Sequence, residues 1–233
     1  MTHISIDELI KALWSTDSRV CEDAIASIKA MGEAALPALM IALKKDDCNS
    51  EFAAFENEKL REAIIEIGDP AFRQLLELLT PDSDMVRAAA KTLKRWGDNR
   101  AVDHLIVSML NDDIGLNGRC YIIQALGDFR DPKAFEPLRT ALGHENESIR
   151  SFAARALAEY GDVDVMPSIF DALEHRNHKW WYGTTEGIGE IGRSLRKSAA
   201  EKGAEADFVR CLAEMESRYP EMVAEYKSWN RIS

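Results

Sequence analysis

Six glycines, Gly32, Gly68, Gly97, Gly127, Gly161 and Gly192, recur 29 to 36 residues apart, each after a run of small and aliphatic residues and before a second apolar run. A period of this length marks a two-helix unit that cannot bury its apolar face alone and must stack on its neighbours. The upstream runs include Ala24–Ile28, Arg61–Ile67, Val86–Leu93, Arg119–Leu126 and Ile149–Leu157; the downstream ones include Leu36–Leu39, Phe72–Leu76, Ala101–Ile106, Ala134–Leu138 and Val165–Ile169. Their apolar residues fall at helical spacing. Glycine can take the left-handed conformation that closes a first helix, and the aspartates after it, Asp69, Asp98, Asp128 and Asp162, are placed to accept amide protons at the start of the second. Pro37, Pro70, Pro132 and Pro167 fall in the first turn or so of second helices, where a missing N–H costs least.

The chain therefore reads as all-α. The length divides into about six units plus ends: a cap helix over 1–14, repeats over 15–192 and capping helices over 193–233, in one domain spanning 1–233. In the last stretch, Phe208, Leu212, Met215, Val223 and Tyr226 supply apolar stripes for covering the final repeat. Lys44–Asn57 accounts for the longest spacing and is expected to lengthen a helix or add a bulging loop.

Composition narrows the function classes. Hydrophobic residues make up 46% of 233, enough for a substantial core. No uncharged apolar run approaches the roughly 20 residues of a membrane span, and the first residues lack a basic segment followed by an apolar one. The expectation is a soluble, cytoplasmic protein without membrane contact. Four scattered cysteines, Cys21, Cys48, Cys120 and Cys211, suit neither a disulfide framework nor a zinc finger and are expected to be reduced. With 29 Lys+Arg against 40 Asp+Glu the net charge is −11, which disfavours a nucleic-acid partner because phosphate binding rests on lysine and arginine.

Gly97-Asp98-Asn99-Arg100-Ala101-Val102, with Val86-Arg87 before it and Asn111-Asp112-Asp113 after it, resembles the short HEAT-like repeat of bacterial scaffold and bilin lyase-type proteins. The likeness extends over about residues 15 to 192. It implies an α-solenoid, a superhelix of about six helix pairs whose second helices line the concave side. Arg87, Arg119 and Arg150, near the starts of first helices, read as structural, pairing with aspartates of adjacent turns.

Gly187-Ile188-Gly189-Glu190-Ile191-Gly192 matches a dinucleotide fingerprint in letters but lacks the strand that motif requires, and close helix packing accounts for its glycines. His175 and His178 lack a convincing third ligand, and the lone His144-Glu145 pair lies in a connection, unlike the repeated His-Glu pairs of HEAT-like iron hydroxylases. Trp96, Trp180, Trp181 and Asp98 or Asp103 can be cast in the roles used by HEAT-like alkylpurine DNA glycosylases, but no motif matches residue by residue. Thus no catalytic residue, metal site or cofactor is assigned, and a bilin lyase-type or glycosylase-type enzyme is the alternative to a binding protein.

What remains is the surface. If apolar residues of each second helix face the core, then Arg73, Gln74 and Glu77, Asp103, His104 and Val107, Glu136, Pro137 and Thr140, and Pro167, Ser168 and Asp171 point into the concave side. Glu77, Asp103, Glu136 and Asp171 would form an acidic stripe that attracts a basic protein, unless they are only a solvated face. Trp180, Trp181 and Tyr182 are consecutive, so a helix cannot bury all three in one stripe; they are either core with incidental exposure or a partner anchor. The expected function is a non-enzymatic scaffold or adaptor whose partner-binding residues are Arg73, Glu77, Asp103, His104, Glu136, Asp171, Trp180, Trp181 and Tyr182.

Overall fold

The computed structural model describes residues 4–49, 58–174 and 187–230, which form fourteen α-helices and no strand. The chain divides into two compact units, Met1–His104 and Leu105–Ser233. The first holds α1 (Ile6–Ala12), α2 (Ser18–Met31), α3 (Leu36–Asn49), α4 (Glu58–Ile65), α5 (Asp69–Glu77) and α6 (Val86–Trp96). The division falls in α7 (Val102–Met109). The second unit holds α8 (Leu116–Phe129), α9 (Pro132–Ala141), α10 (Glu147–Ala158), α11 (Met166–Glu174), α12 (Gly187–Glu201), α13 (Glu205–Arg218) and α14 (Pro220–Asn230).

Within the first unit α1 lies in the segment read as a cap helix. A capping box starts it, the Ser5 hydroxyl accepting from the Glu8 N–H while the Glu8 carboxylate accepts from the Ser5 N–H at 2.9 Å. It packs on α2 and α3, and the buried Cys21 thiol donates back to the Ser15 carbonyl at 3.3 Å. First-type helices then stack in order, α2 on α4 and α4 on α6. α3 runs on to Asn49, into the long spacing; residues 50–57 lie outside the described residues. By length and composition alone Ser18–Asp46 passes as a membrane-crossing helix, with a hydropathy of 1.4. It is interrupted by the tight turn Gly32–Ala35 between α2 and α3, and its Ile25, Ile28, Leu36, Leu39 and Leu43 are buried in the core of this unit.

In the second unit α8 stacks on α10 and α10 on α12, while α11 packs on α13. Two expectations about glycine are corrected here. Gly127 and Gly192 do not end helices: α8 runs through the first to Phe129 and α12 runs through the second to Glu201. Both are needed for close approach. A Cβ on Gly127 would stand 2.7 Å from the Cα of Ala156 on α10, and one on Gly192 would stand 2.5 Å from the Tyr226 ring on α14. α8 closes instead at Arg130, a non-glycine residue at φ 50°, and the left-handed glycine beyond α12 is Gly203 at φ 76°. Asp128 accordingly lies inside α8, and Asp131 caps α9 by accepting the Lys133 N–H at 2.9 Å.

The boundary expected at 192/193 therefore cuts through a helix. α12 and α13 make a further pair, covered by α14. The apolar residues read as capping stripes, Phe208, Leu212, Met215, Val223 and Tyr226, are all buried. Gly187-x-Gly189-x-x-Gly192 falls within α12, where its three glycines are helical; the residues before Gly187 lie outside the described ones.

Candidate functional site

The helix-start chemistry fixes which faces are free. Asp98 and Asp162 each open a short turn before α7 and α11, accepting N–H groups at 2.9 Å from Arg100 and 3.0 Å from Asp164. Asp69 differs, lying as the first residue of α5 behind Gly68, which caps without a side chain. Asp98 is fully engaged: its second oxygen accepts from Arg100 Nε at 2.8 Å, and hydrogen bonding from the Arg100 guanidinium and N–H holds its carboxyl below the usual value. Arg100 also donates to Asp69 and lies over the Phe72 ring, whose other neighbour is the edge of Trp96 at 5.2 Å. Trp96 and Asp98, cast as glycosylase residues on sequence grounds, are thus spent on packing and capping.

Of the arginines read as structural at first-helix starts, Arg119 and Arg150 are tied to their surroundings, though aspartate is only part of their pairing, and Arg61 at the start of α4 joins them. Arg61 meets Asp46 at 3.2 Å with both side chains shielded from solvent. Buried Arg119 donates to Asp112 at 2.7 Å and to the Met109 carbonyl at 3.0 Å. Arg150 takes carbonyls alone among its described bonds: Ala172 at 3.1 Å, and His144 and Glu145 both at 2.9 Å. Each carbonyl is left over at a helix end or in a connection, where guanidinium donors are best used.

His144 is part of this connection, its Nδ1 accepting the Asn146 N–H at 2.9 Å. Among the described residues no group of three His, Cys, Asp or Glu is arranged to hold a metal ion. Cys21 and Cys120 are buried and Cys211 is half-buried; burial pushes the Cys120 thiol up to about 11, which leaves it a poor nucleophile.

The surface residues read from the repeat are placed as follows. In the first unit Arg73 and Glu77 lie on α5 and Asp103 and His104 on α7, all exposed. The exposed side of α3 adds Lys44 and Lys45, so this unit also presents cations on a second-type helix, a feature the acidic-stripe reading passes over. In the second unit Glu136 on α9 and Asp171 on α11 are exposed but engaged. Glu136 pairs with Arg139 at 2.8 Å; Asp171 accepts from Arg218 at 2.9 Å and from the Tyr219 hydroxyl, both donors at the end of α13. Val107 on α7 is 70% exposed and Leu110, one turn on, 58%. Trp180, Trp181 and Tyr182, with His175 and His178, lie outside the described residues.

One small apolar cavity lies among α11, α12, α13 and α14, lined by Met166, Phe170, Leu195, Phe208 and Tyr226 among others. It has room for about one water, so it is a packing void and not a ligand pocket.

No curated protein matches the chain. Residues 116–181, beginning at the first residue of α8 and taking in α9, α10 and α11, match the model of the HEAT repeats family. This match, with paired helices and stacked first helices within each unit, supports a HEAT-like repeat protein.

Proposed function

We propose that the chain is a non-enzymatic cytoplasmic scaffold or adaptor that binds another protein, preferably a basic one, on the side lined by its second-type helices. The observation that carries the reading is that Arg73, Glu77, Asp103, His104, Glu136 and Asp171, singled out by helical phase alone, are all exposed on α5, α7, α9 and α11. HEAT repeats commonly serve as protein-interaction scaffolds, and a repeat array offers wide surface without needing a catalytic pocket. Superhelical stacking of the pairs and a single array over 1–233 belong to the same proposal. A net charge of −11 favours a cationic partner and speeds its approach.

The test is capture of partners from a lysate of the source cell by the wild-type chain and by a variant carrying Glu77→Lys, Asp103→Lys, Glu136→Lys and Asp171→Lys. The proposal expects basic partners on the wild type and their loss from the variant. An unchanged set of partners overturns the acidic face.

A further inference from the structure

Within the second unit, Val107 and Leu110 stand one turn apart on one face at the end of α7, both exposed. Aliphatic side chains gain nothing from facing water, and a β-branched residue is not favoured on a helix surface. Folding therefore gives no reason for the pair. Buried neighbours on the same helix, Leu105 and Met109, already fix how α7 packs.

The pair is also held rigidly. Buried Arg119 donates from Nε to the Met109 carbonyl and from Nη1 to Asp112 Oδ1, tying the last turn of α7 to α8. Asp112 keeps its side chain 83% exposed despite that bond, and exposed Asp113 follows it, with its N–H donating to Asn111 Oδ1 at 3.0 Å. No lysine or arginine occurs between Leu105 and Gly118, but Arg119 pairs with Asp112 and His144 Nε2 lies 3.9 Å from the same oxygen, so the outward negative charge of the site rests chiefly on Asp113. An exposed apolar pair is thus followed, after Asn111, by two carboxylates, one of them fixed in place and paired by a buried guanidinium.

We infer that Val107, Leu110, Asp112 and Asp113 form an anchoring site for a segment of another protein that carries an aliphatic or aromatic side chain within one turn of a lysine or arginine. Charge selects this occupant. A second copy of the chain pairing through the same patch would bring its own Asp113 against this one, and an anionic lipid surface would meet the same repulsion. A cationic segment gains from both parts of the site, the apolar pair supplying burial and the carboxylates orientation. The rigid helix end lowers the ordering cost of binding. The inference deepens the scaffold reading and rests on it, naming where on one helix a partner is gripped.

The probe is a library of displayed 16-residue random peptides selected on the full-length chain, with the winners resynthesised and their affinity measured by fluorescence anisotropy. Selected peptides are expected to place Leu, Ile or Phe within four residues of Lys or Arg. Their affinity is expected to fall at least tenfold on the Val107→Ser/Leu110→Ser variant. Asp113→Asn is expected to weaken binding several-fold and to flatten its salt dependence. Both variants change exposed side chains, and unaltered circular dichroism and thermal unfolding confirm that the fold is kept. Peptides lacking a basic residue overturn the inference, as does undiminished affinity on the double variant or a wild-type dimer that this variant converts to monomer. Peptides weakened by the four reversals at Glu77, Asp103, Glu136 and Asp171 but indifferent to Val107→Ser/Leu110→Ser overturn the anchor and leave the scaffold reading standing. Indifference to both sets overturns both.

Discussion

Single residues in this chain are specified for different reasons that look alike in sequence. Gly97 and Gly161 both take the left-handed conformation, at φ 70° and 64°, yet a Cβ on Gly97 meets open space while one on Gly161 would stand 2.4 Å from the backbone of Ser198 on α12. Alanine at position 97 should cost only the conformational penalty, about 1–2 kcal/mol. At position 161 overpacking adds about 1–3 kcal/mol more. Urea-denaturation midpoints should fall in that order, and equal losses would mean that the α12 backbone gives way freely. Tyr160 shows a third kind of constraint. Its buried hydroxyl donates to the Asp131 carbonyl at 2.9 Å and shares its single proton with the Leu126 carbonyl at 3.3 Å, pinning the turn in which Arg130 is left-handed. Burial first, then the nearby Asp131 carboxylate, raises its ionisation above the usual value; burial likewise pushes Tyr219 up to about 12 and raises Tyr226. For an acid favoured neutral in the fold, the stabilisation is intact below the unfolded tyrosine value of about 10 and is lost as pH rises beyond it towards the folded values. Thermal stability should therefore decline above about pH 10. Tyr160→Phe should lose about 1–2 kcal/mol at pH 7 by orphaning its acceptors, and decline less steeply in alkali.

At the scale of the helix, packing overrides local preference. Gly127 sits inside α8, where alanine would favour the helix by about 0.5–1 kcal/mol, but a methyl group there would stand 2.7 and 2.8 Å from the Cα and Cβ of Ala156. Gly127→Ala should therefore destabilise the protein although it improves helix propensity, because parting α8 from α10 costs about 1–3 kcal/mol. A raised urea midpoint in that variant would contradict the tight crossing. This explains what the sequence left illegible. A glycine that closes a helix and one that lets two helices touch occur at the same period, and Gly127-Asp128 resembles Gly97-Asp98 in letters. The distinguishing sign was Asp131-Pro132, a cap followed by proline at the first helical position, which marks the true start of α9. Helix pairing, exposed phases and buried stripes were legible because they depend on periodicity. The pairings of Arg150 with the Ala172 carbonyl and of Asp171 with Arg218 and Tyr219 were not, since they join residues 22 to 48 apart in the chain that only the fold brings together.

For the whole molecule the question is whether binding follows total charge or a particular face. Asp171 and Glu136 already have cationic partners in the second unit, and the first unit presents Lys45 on α3 next to Lys44, which pairs with Asp84, so net charge is not a map of the proposed surface. Long-range attraction depends on the sum of charges, whereas a docking surface depends on where they stand. Two variants separate the effects. Reversal of Glu77, Asp103, Glu136 and Asp171 to lysine changes the charge by two at each of four positions, taking −11 to −3. Reversal of Glu22 and Asp23 on α2, Asp128 on α8 and Glu145 in the connection before α10 gives the same −3 from other exposed places. Against partners recovered on the wild type, both variants should slow association at low salt by a similar factor, since both weaken the attraction equally at long range. Only the first should raise the dissociation rate and keep the deficit at high salt, where screening reduces distant charge effects but leaves direct contacts in place. Equal dissociation rates, read by surface plasmon resonance across a salt series, would reduce the acidic face to a solvated surface and leave Val107 and Leu110 as the part of α7 on which recognition rests.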